Sequence, residues 1–515
     1  MRNARLALIP LAMVPAVLLV SCGGGGHAGS GTVTVPVTPT PPVSLRGQVI
    51  GNATLAPVTL TPGVTKNTLD PVSLAVLLEV DNVLGVPITG KPVCSITVYS
   101  VKYHTLDSMA ADAEAGAAIY VPSGSDPACQ GSRPVLLYAH GTSVQKSYDM
   151  ANLGSNEPLL VAGMFAAQGY IVVAPNYVGY AGSTAGYHPY LDAEQQSAEM
   201  VDALRAARSV FSGINANAST RLMISGYSQG GYVALATQRA MQTKHAAEFS
   251  VTAAAPLSGP YALSLFGDSI FNGAPTMGAA GFLPLLINAG QRAGAALYSS
   301  TSDIYEPKYA TGIDTLLPGT QGLSALVAAG KLPNDVLFAA DSLPQAAGYG
   351  SAFGTDHLIK TSYRDAYLAD LRANPCNISN TAPLACTPAQ SLRKWLLKND
   401  LRTYAPNVPL FMCGGDADPL VPYTNTVSTS AYFRAQSAAV QLTVLNVDDN
   451  ALSGSFRDTR GQFAAAKLLV RAAALKGGAS SAAADQAVRE AYHAGLVAPF
   501  CLREARAFFD SAPSR

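Results

Sequence analysis

Short apolar runs, each closed by a glycine, a proline or a polar turn, recur along the chain. In the middle they alternate with stretches of helical spacing. Residues 134–142 (PVLLYAHGT), 169–175 (GYIVVAP), 220–225 (TRLMIS) and 249–256 (FSVTAAAP) each read as a buried strand. Between them, Leu191, Ala198, Val201 and Leu204 fall near one face of a segment running from Leu191 to Arg208, and Gly231–Ala236 open another helix. Strands that alternate with helices predict a mainly parallel sheet flanked by helices. Ahead of this region, residues 74–80 (LAVLLEV), 94–103 (CSITVYSVKY) and 117–122 (AAIYVP) read as antiparallel edge strands. From about Ala262 to Ala405 the pattern changes. Alanine-rich apolar stretches at 282–289, 323–329 and 336–340 are broken by Gly and Pro and show no clear strand, which predicts a helical insertion. Strand patterns return at 407–415 and 440–447, and 461–477 and 482–492 then read as two helices.

The ends of the chain behave differently. Met1–Ser21 carries Arg2 and Arg5, then an apolar run from Leu6 to Val20 that Pro10 and Pro15 interrupt. This is the layout of an export signal, and the run is too short and too proline-broken for a stable membrane span. Leu19-Val20-Ser21-Cys22 resembles a bacterial lipobox. That resemblance implies removal of residues 1–21, lipidation of Cys22 and, with Gly23 rather than Asp next, outer-membrane sorting. Ordinary secretion, to the periplasm or beyond, is the alternative. Residues 22–44 are rich in Gly, Pro and Thr and form a tether that cannot build a core. The organisation expected is therefore a signal (1–21), a tether (22–44), a first core segment (45–261), an insertion (262–405) and a second core segment (406–515).

Composition narrows the picture. A chain of 515 residues suits one large α/β domain with an insertion, or two domains. Lys+Arg and Asp+Glu both number 33, and there is no sustained basic run, which argues against a nucleic-acid partner. Beyond Cys22 there are Cys94, Cys129, Cys376, Cys386, Cys413 and Cys501, an even set that suits three disulfides in an exported protein. Nearness in sequence suggests Cys94–Cys129 and Cys376–Cys386, leaving Cys413–Cys501. No CxxC or HExxH pattern points to a metal.

The chemistry centres on Gly226-Tyr227-Ser228-Gln229-Gly230, set between a strand and a helix. A strand that turns into a helix within a few residues strains the backbone of the central residue, and flanking glycines avoid the resulting collisions. Ser228 is left at the tip, above the positive end of the following helix, as a nucleophile requires. A nucleophilic serine also needs N–H donors for an oxyanion, a base and an acid. The residue after the serine supplies one N–H, here Gln229. The strand ending in His140-Gly141-Thr142 offers the other at Thr142, with Gly141 allowing close approach. His140 is assigned to packing. Tyr187 and Tyr190, in a loop that also holds His188, either rim a substrate site or pack. Asp416-Ala417-Asp418-Pro419-Leu420-Val421-Pro422 follows a strand and offers two carboxylates. Asp418, before Pro-Leu-Val-Pro, is the better triad acid and Asp416 a turn cap. Of the seven histidines, only His493 follows Asp418; His357 lies in the insertion and is assigned to surface or packing. If His493 meets Asp418, Cys413 and Cys501 also come together, the basis for the third pairing.

With Ser228, Asp418 and His493 in that order, the chain resembles the α/β-hydrolase superfamily, and within it the secretory, lipase A-like lipases and esterases. The matching segments are Tyr138–Thr142, Val173–Tyr180, Gly226–Gly231 and Gly415–Pro422. The resemblance implies an α/β-hydrolase fold with the insertion as a cap or lid. It implies hydrolysis of a small-molecule or lipid ester through an acyl-enzyme, with no cofactor. The separation of acid and base, 493 − 418 = 75 residues, is long for that family. A serine peptidase of the same fold would use the same triad, and a non-catalytic binding protein on this fold would be expected to have lost a member of it.

Overall fold

The computed structural model describes residues 44–513, apart from 62–63, 82–84, 378 and 452. The export signal, Cys22 and nearly all of the tether lie outside the described residues. Residues Leu45–Arg515 make one compact unit, so the insertion is packed onto the sheet rather than tethered to it.

The main sheet has ten strands: β1 (Val49–Leu55), β2 (Thr68–Leu69), β3 (Ser95–Leu106), β4 (Asp112–Ser123), β5 (Arg133–Ala139), β6 (Ile171–Pro175), β7 (Ala218–Tyr227), β8 (Ala253–Leu257), β9 (Leu410–Gly414) and β10 (Leu442–Asn446). Their order is β1-β3-β4-β6-β5-β7-β8-β9-β10, with β2 paired to β3. Strands β1 to β4 pair antiparallel, β4 meets β6 antiparallel, and every pairing from β6 to β10 is parallel. The parallel strands are covered on both faces, which is why β5, β6, β8 and β9 are almost continuously apolar and buried. The sheet reverses direction at β6-β5-β7, and the turn after β7 carries Ser228.

The helices that matter for the site are α1 (Asn156–Met164), α2 (Ala193–Val210), α3 (Gln229–Lys244), α4 (Arg457–Lys476), α5 (Ser481–Ala491) and α6 (Ala498–Ser511). Asp192 caps α2 through the N–H groups of Glu194 and Gln195. Between β8 and β9 run helices Leu263–Phe271, Ala279–Arg292, Thr361–Ala373 and Ser391–Lys398, with a small parallel pair, Phe338–Ala339 and Phe353–Gly354, among them. Three disulfides join Cys94 to Cys129, Cys376 to Cys386 and Cys413 to Cys501.

One expected strand is a helix. Residues 74–80 lie within helix Pro71–Asp81. Leu74 and Leu78 are 0% and 1% exposed while Val72, Val76 and Val80 are 74%, 55% and 76% exposed, a one-sided i, i+4 pattern that a continuous apolar run conceals. Asp70 caps it by accepting from Ser73 N–H, and Pro71 occupies the first turn, where its missing N–H costs nothing.

Candidate active site

The turn after β7 is built by close backbone contact. Ser228 sits at φ 61°, ψ −123°, a strained conformation for a residue with a side chain. Its N–H is held by Leu257 O at 3.0 Å, and its own carbonyl accepts Tyr232 N–H at 3.2 Å. A Cβ on Gly226 would lie 2.3 Å from Gly230 O, one on Gly230 would lie 1.9 Å from Ala139 O, and one on Gly231 would lie 2.2 Å from Leu257 O. The glycines are there because β5, β7, β8 and α3 approach one another too closely for any side chain.

Asp418 is buried, and four donors reach its carboxylate. His493 Nδ1 approaches Oδ2 at 2.6 Å and Ser258 Oγ donates to the same oxygen at 3.0 Å, while Leu420 N–H and Val421 N–H donate to Oδ1 at 3.0 and 3.1 Å. Burial disfavours the ionised carboxyl, but His493 and the two N–H groups outweigh it and hold the group below the ordinary aspartate range. An ionised Asp418 sets Nδ1 of His493 as a donor, which leaves Nε2 as the acceptor. Nε2 is buried without a hydrogen-bond partner. Asp416 is exposed, and its N–H is bound by Asn446.

His493 lies in a π-helical turn, Tyr492–Val497, that joins α5 to α6. A π-turn widens the helix by one residue and re-aims the side chains it carries. Several contacts fix it there. Tyr227 O–H donates to the His493 carbonyl at 2.6 Å. Ala417 N–H donates to the Tyr492 hydroxyl at 3.1 Å, and that hydroxyl donates to Asp448 at 2.6 Å. Cys501 on α6 is bonded to Cys413 at the end of β9. Asp418 and His493, distant in sequence, are thus joined by one hydrogen bond, one tyrosine bridge and one disulfide.

On the other side of Ser228, Gly141 N–H is occupied by the Glu157 carboxylate at 2.9 and 3.1 Å. Glu157, on α1, also accepts from Tyr138 O–H at 2.8 Å and Tyr148 O–H at 3.0 Å. Gly141 is not a steric necessity, since a Cβ there would meet nothing nearer than 3.4 Å; its N–H anchors the loop that presents Thr142. The Thr142 hydroxyl meets Tyr190 O–H at 3.2 Å. The Gln229 side chain reaches back to His188 Nε2 at 2.6 Å, and His188 Nδ1 faces Val178 O at 3.0 Å. Burial pulls the His188 pKa down to about 3, so it is a neutral imidazole that donates to Val178 and accepts from Gln229. His140 is fully buried and stacks on Tyr177 at 4.1 Å. His357, in the insertion, faces Glu306 at 3.2 Å. Glu157 and Ser258 carry no motif signal, because each reaches the site only through the folded chain; Tyr227 sits in the Gly-x-Ser-x-Gly motif at a position the pattern leaves open, and His188 stood beside candidate substrate-rim tyrosines but supports Gln229 instead.

Ser228 opens onto two chambers. One, of about 90 Å³, is nearly all apolar and runs under the insertion, between Gln229, Tyr190 and cap residues such as Phe266, Phe282, Leu286 and Leu396. The other, of about 430 Å³, is lined by Ser228, Thr142 and His493, with Glu157 and Asn156 on one wall and Val470 and Ala491 on another.

A reversing, mostly parallel sheet with a serine on the sharp strand-to-helix turn of β7 and a cap inserted after β8 is the α/β-hydrolase fold. Solved structures agree. The rice cell wall degrading esterase LipA from Xanthomonas oryzae, in a ligand-bound form, superposes with a TM-score of 0.66 at 22% identity, covering 91% of this chain and 100% of its own. Another structure of the same esterase gives 0.62 at 24% identity over 78% of this chain and 91% of its own. A candidate hydrolase from Legionella pneumophila gives 0.62 at 17% identity, covering 90% of this chain and 98% of its own. At these identities the likeness is one of fold. Residues 160–257 match the prolyl oligopeptidase family, a stretch that holds Ser228 but neither Asp418 nor His493. No curated protein matches the chain.

Proposed function

We propose that the protein is an exported serine carboxylic-ester hydrolase. In this reading His493 Nε2 takes the proton of Ser228 Oγ as that oxygen attacks the ester carbonyl, and the N–H groups of Gln229 and Thr142 hold the oxyanion. Asp418 fixes the imidazole tautomer and stabilises the imidazolium. The observation that carries the reading is the buried, unpartnered Nε2 of His493, a residue that lines the same chamber as Ser228 and whose Nδ1 is bound to an ionised Asp418. The apolar chamber beside Ser228 supports a hydrophobic acyl group. The disulfides support an oxidising compartment, and the lipobox-like segment supports anchoring to a membrane through a lipidated Cys22.

Replacing Ser228 by Ala should abolish hydrolysis of p-nitrophenyl esters while circular dichroism and melting temperature stay close to wild type. Turnover at the wild-type rate in a folded Ser228→Ala protein would refute the mechanism. The match of residues 160–257 to the prolyl oligopeptidase family favours a second reading, a serine peptidase with the same residues in the same roles. Comparing esters with aminoacyl amides of the same acyl group decides between them: the esterase reading expects ester turnover alone, and equal turnover of the amides would favour the peptidase.

A further inference from the structure

Resting on that esterase reading, we infer that the larger chamber receives the alcohol half of the ester and that the helical hairpin α4–α5 sets which alcohols fit. Proton transfer fixes where the two halves of the ester lie. When the tetrahedral intermediate collapses, the bond between the carbonyl carbon and the alkoxy oxygen breaks, and that oxygen takes the proton held on His493 Nε2, leaving the acyl group on Ser228 Oγ. A water then enters, gives its proton to Nε2 and attacks the acyl carbon; the bond to Ser228 Oγ breaks, and Oγ regains the proton. Both steps place the departing alcohol, and afterwards the water, within hydrogen-bond reach of Nε2. Ser228 borders both chambers, but His493, Ala494 and Gly495 border only the larger one. The leaving group therefore lies in the larger chamber and the acyl chain in the narrow apolar one.

The wall of the larger chamber is unusual in origin. Val470 on α4 and Ala491 at the end of α5 form part of it, and both belong to the hairpin that separates β10 from the histidine. The hairpin is not loosely attached. Phe463 on α4 packs edge-on against Tyr492 at 5.7 Å and Phe500 at 5.5 Å, and Lys467 pairs with Asp448, the same carboxylate that Tyr492 binds. A Cβ on Gly415 would lie 2.7 Å from the Tyr492 hydroxyl, so the base of the hairpin is pressed against the loop that carries Asp418. The long span between acid and base is thus a structural element with a place in the site. Glu157 and Asn156 also line this chamber and give it polar groups that the narrow one largely lacks. Apolar and polar lining together fit an alcohol that carries both a hydrophobic body and hydrogen-bonding groups.

The test uses two ester series and three single variants of the full-length mature protein. In one series the acyl group is butyryl and the alcohol grows from methyl through benzyl to 2-naphthyl. In the other the alcohol is p-nitrophenol and the acyl chain lengthens from acetyl to decanoyl. Val470→Trp should lower kcat/KM for the naphthyl ester by about tenfold or more, the scale of one poorly fitted group in a pocket. It should lower the methyl ester far less than the naphthyl ester and leave the shape of the acyl-chain profile unchanged. Leu286→Trp, which narrows the apolar chamber, should do the reverse. Val470→Gly guards against misfolding by the larger residue and should raise the naphthyl ester relative to the methyl ester. The inference is overturned if Val470→Trp changes the acyl profile rather than the alcohol profile, or if all esters fall together in a folded variant. Failure of the underlying esterase reading would look different: every ester would remain unhydrolysed, or Ser228→Ala would retain turnover, whatever residue stands at 470.

Discussion

Ser228 and His493 are held in place by opposite means. The serine is positioned by main chain against main chain, with three glycines at distances that admit no Cβ. The histidine is positioned by side chains: the Asp418 carboxylate, the Tyr227 and Tyr492 hydroxyls, and the Cys413–Cys501 bridge between β9 and α6. Backbone packing is encoded locally, in the six consecutive residues Gly226–Gly231. Side-chain bracing is encoded in pieces scattered over much of the chain. The serine side therefore tolerates almost no substitution, whereas the histidine side should lose its parts one at a time.

That contrast can be broken in several ways. The largest effect is expected from Asp418→Asn. It removes the charge that fixes the His493 tautomer and should cost about 10⁴ in kcat, while Asp416→Asn stays near wild type. Steady-state hydrolysis of p-nitrophenyl butyrate by both variants checks this, and equal activities would reverse the assignment of the acid. Next comes Gly230→Ala. With Ala139 O in the way of the new methyl, the elbow must move, at a cost of about 3 kcal/mol or more. Stability and activity should fall together, seen as a lower melting temperature and a loss of kcat in whatever remains folded. Removing the bridge with Cys413→Ala and Cys501→Ala should cost about 2–4 kcal/mol of stability, but should spare much of the activity well below the melting transition. A variant with intact stability but no activity would show that the bridge acts on the chemistry rather than on the frame.

The smallest effect concerns pH. Behind Gln229 and His188, Glu199 is fully buried and accepts from Val178 N–H at 2.8 Å and Gln195 Nε2 at 3.0 Å. Burial raises its pKa to about 8, above the 4.5 of a free glutamate. The folded protein thus keeps this proton between roughly pH 4.5 and 8 while the unfolded chain releases it, so its contribution to stability is present at low pH and declines as pH rises through that window. Melting curves at pH 5 and pH 8 should show wild type losing more on the alkaline side than Glu199→Gln. An identical loss in the two proteins would mean that Glu199 ionises without consequence.

Much of the serine side was legible beforehand because its signal is contiguous. The parallel strands announced themselves as unbroken apolar runs, and the elbow as Gly-x-Ser-x-Gly between a strand and a helix. Asp418 was legible through its Pro-Leu-Val-Pro sequel, and the geometry that places it rather than Asp416 against His493 follows from which one lies in the buried turn. His493 was reached only by elimination, since no local pattern marks a histidine on a π-turn. Glu157 and Ser258, which hold Gly141 and Asp418, gave no sign at all, because hydrogen bonds between residues 16 and 160 positions apart leave no periodicity. The helix at Pro71–Asp81 misled for a related reason: valines fill its exposed face, so a one-sided helix looked like a continuous strand.

The mechanism proposed stands on Ser228 as the nucleophile, served by His493 and Asp418. Titration of the mature protein with a fluorophosphonate, followed by peptide mapping and residual ester hydrolysis, tests it at the reacting atom. One adduct per chain is expected, on Ser228, with activity lost in proportion, and no labelling of the Ser228→Ala protein. An unlabelled Ser228, or full activity remaining after stoichiometric labelling there, would contradict it.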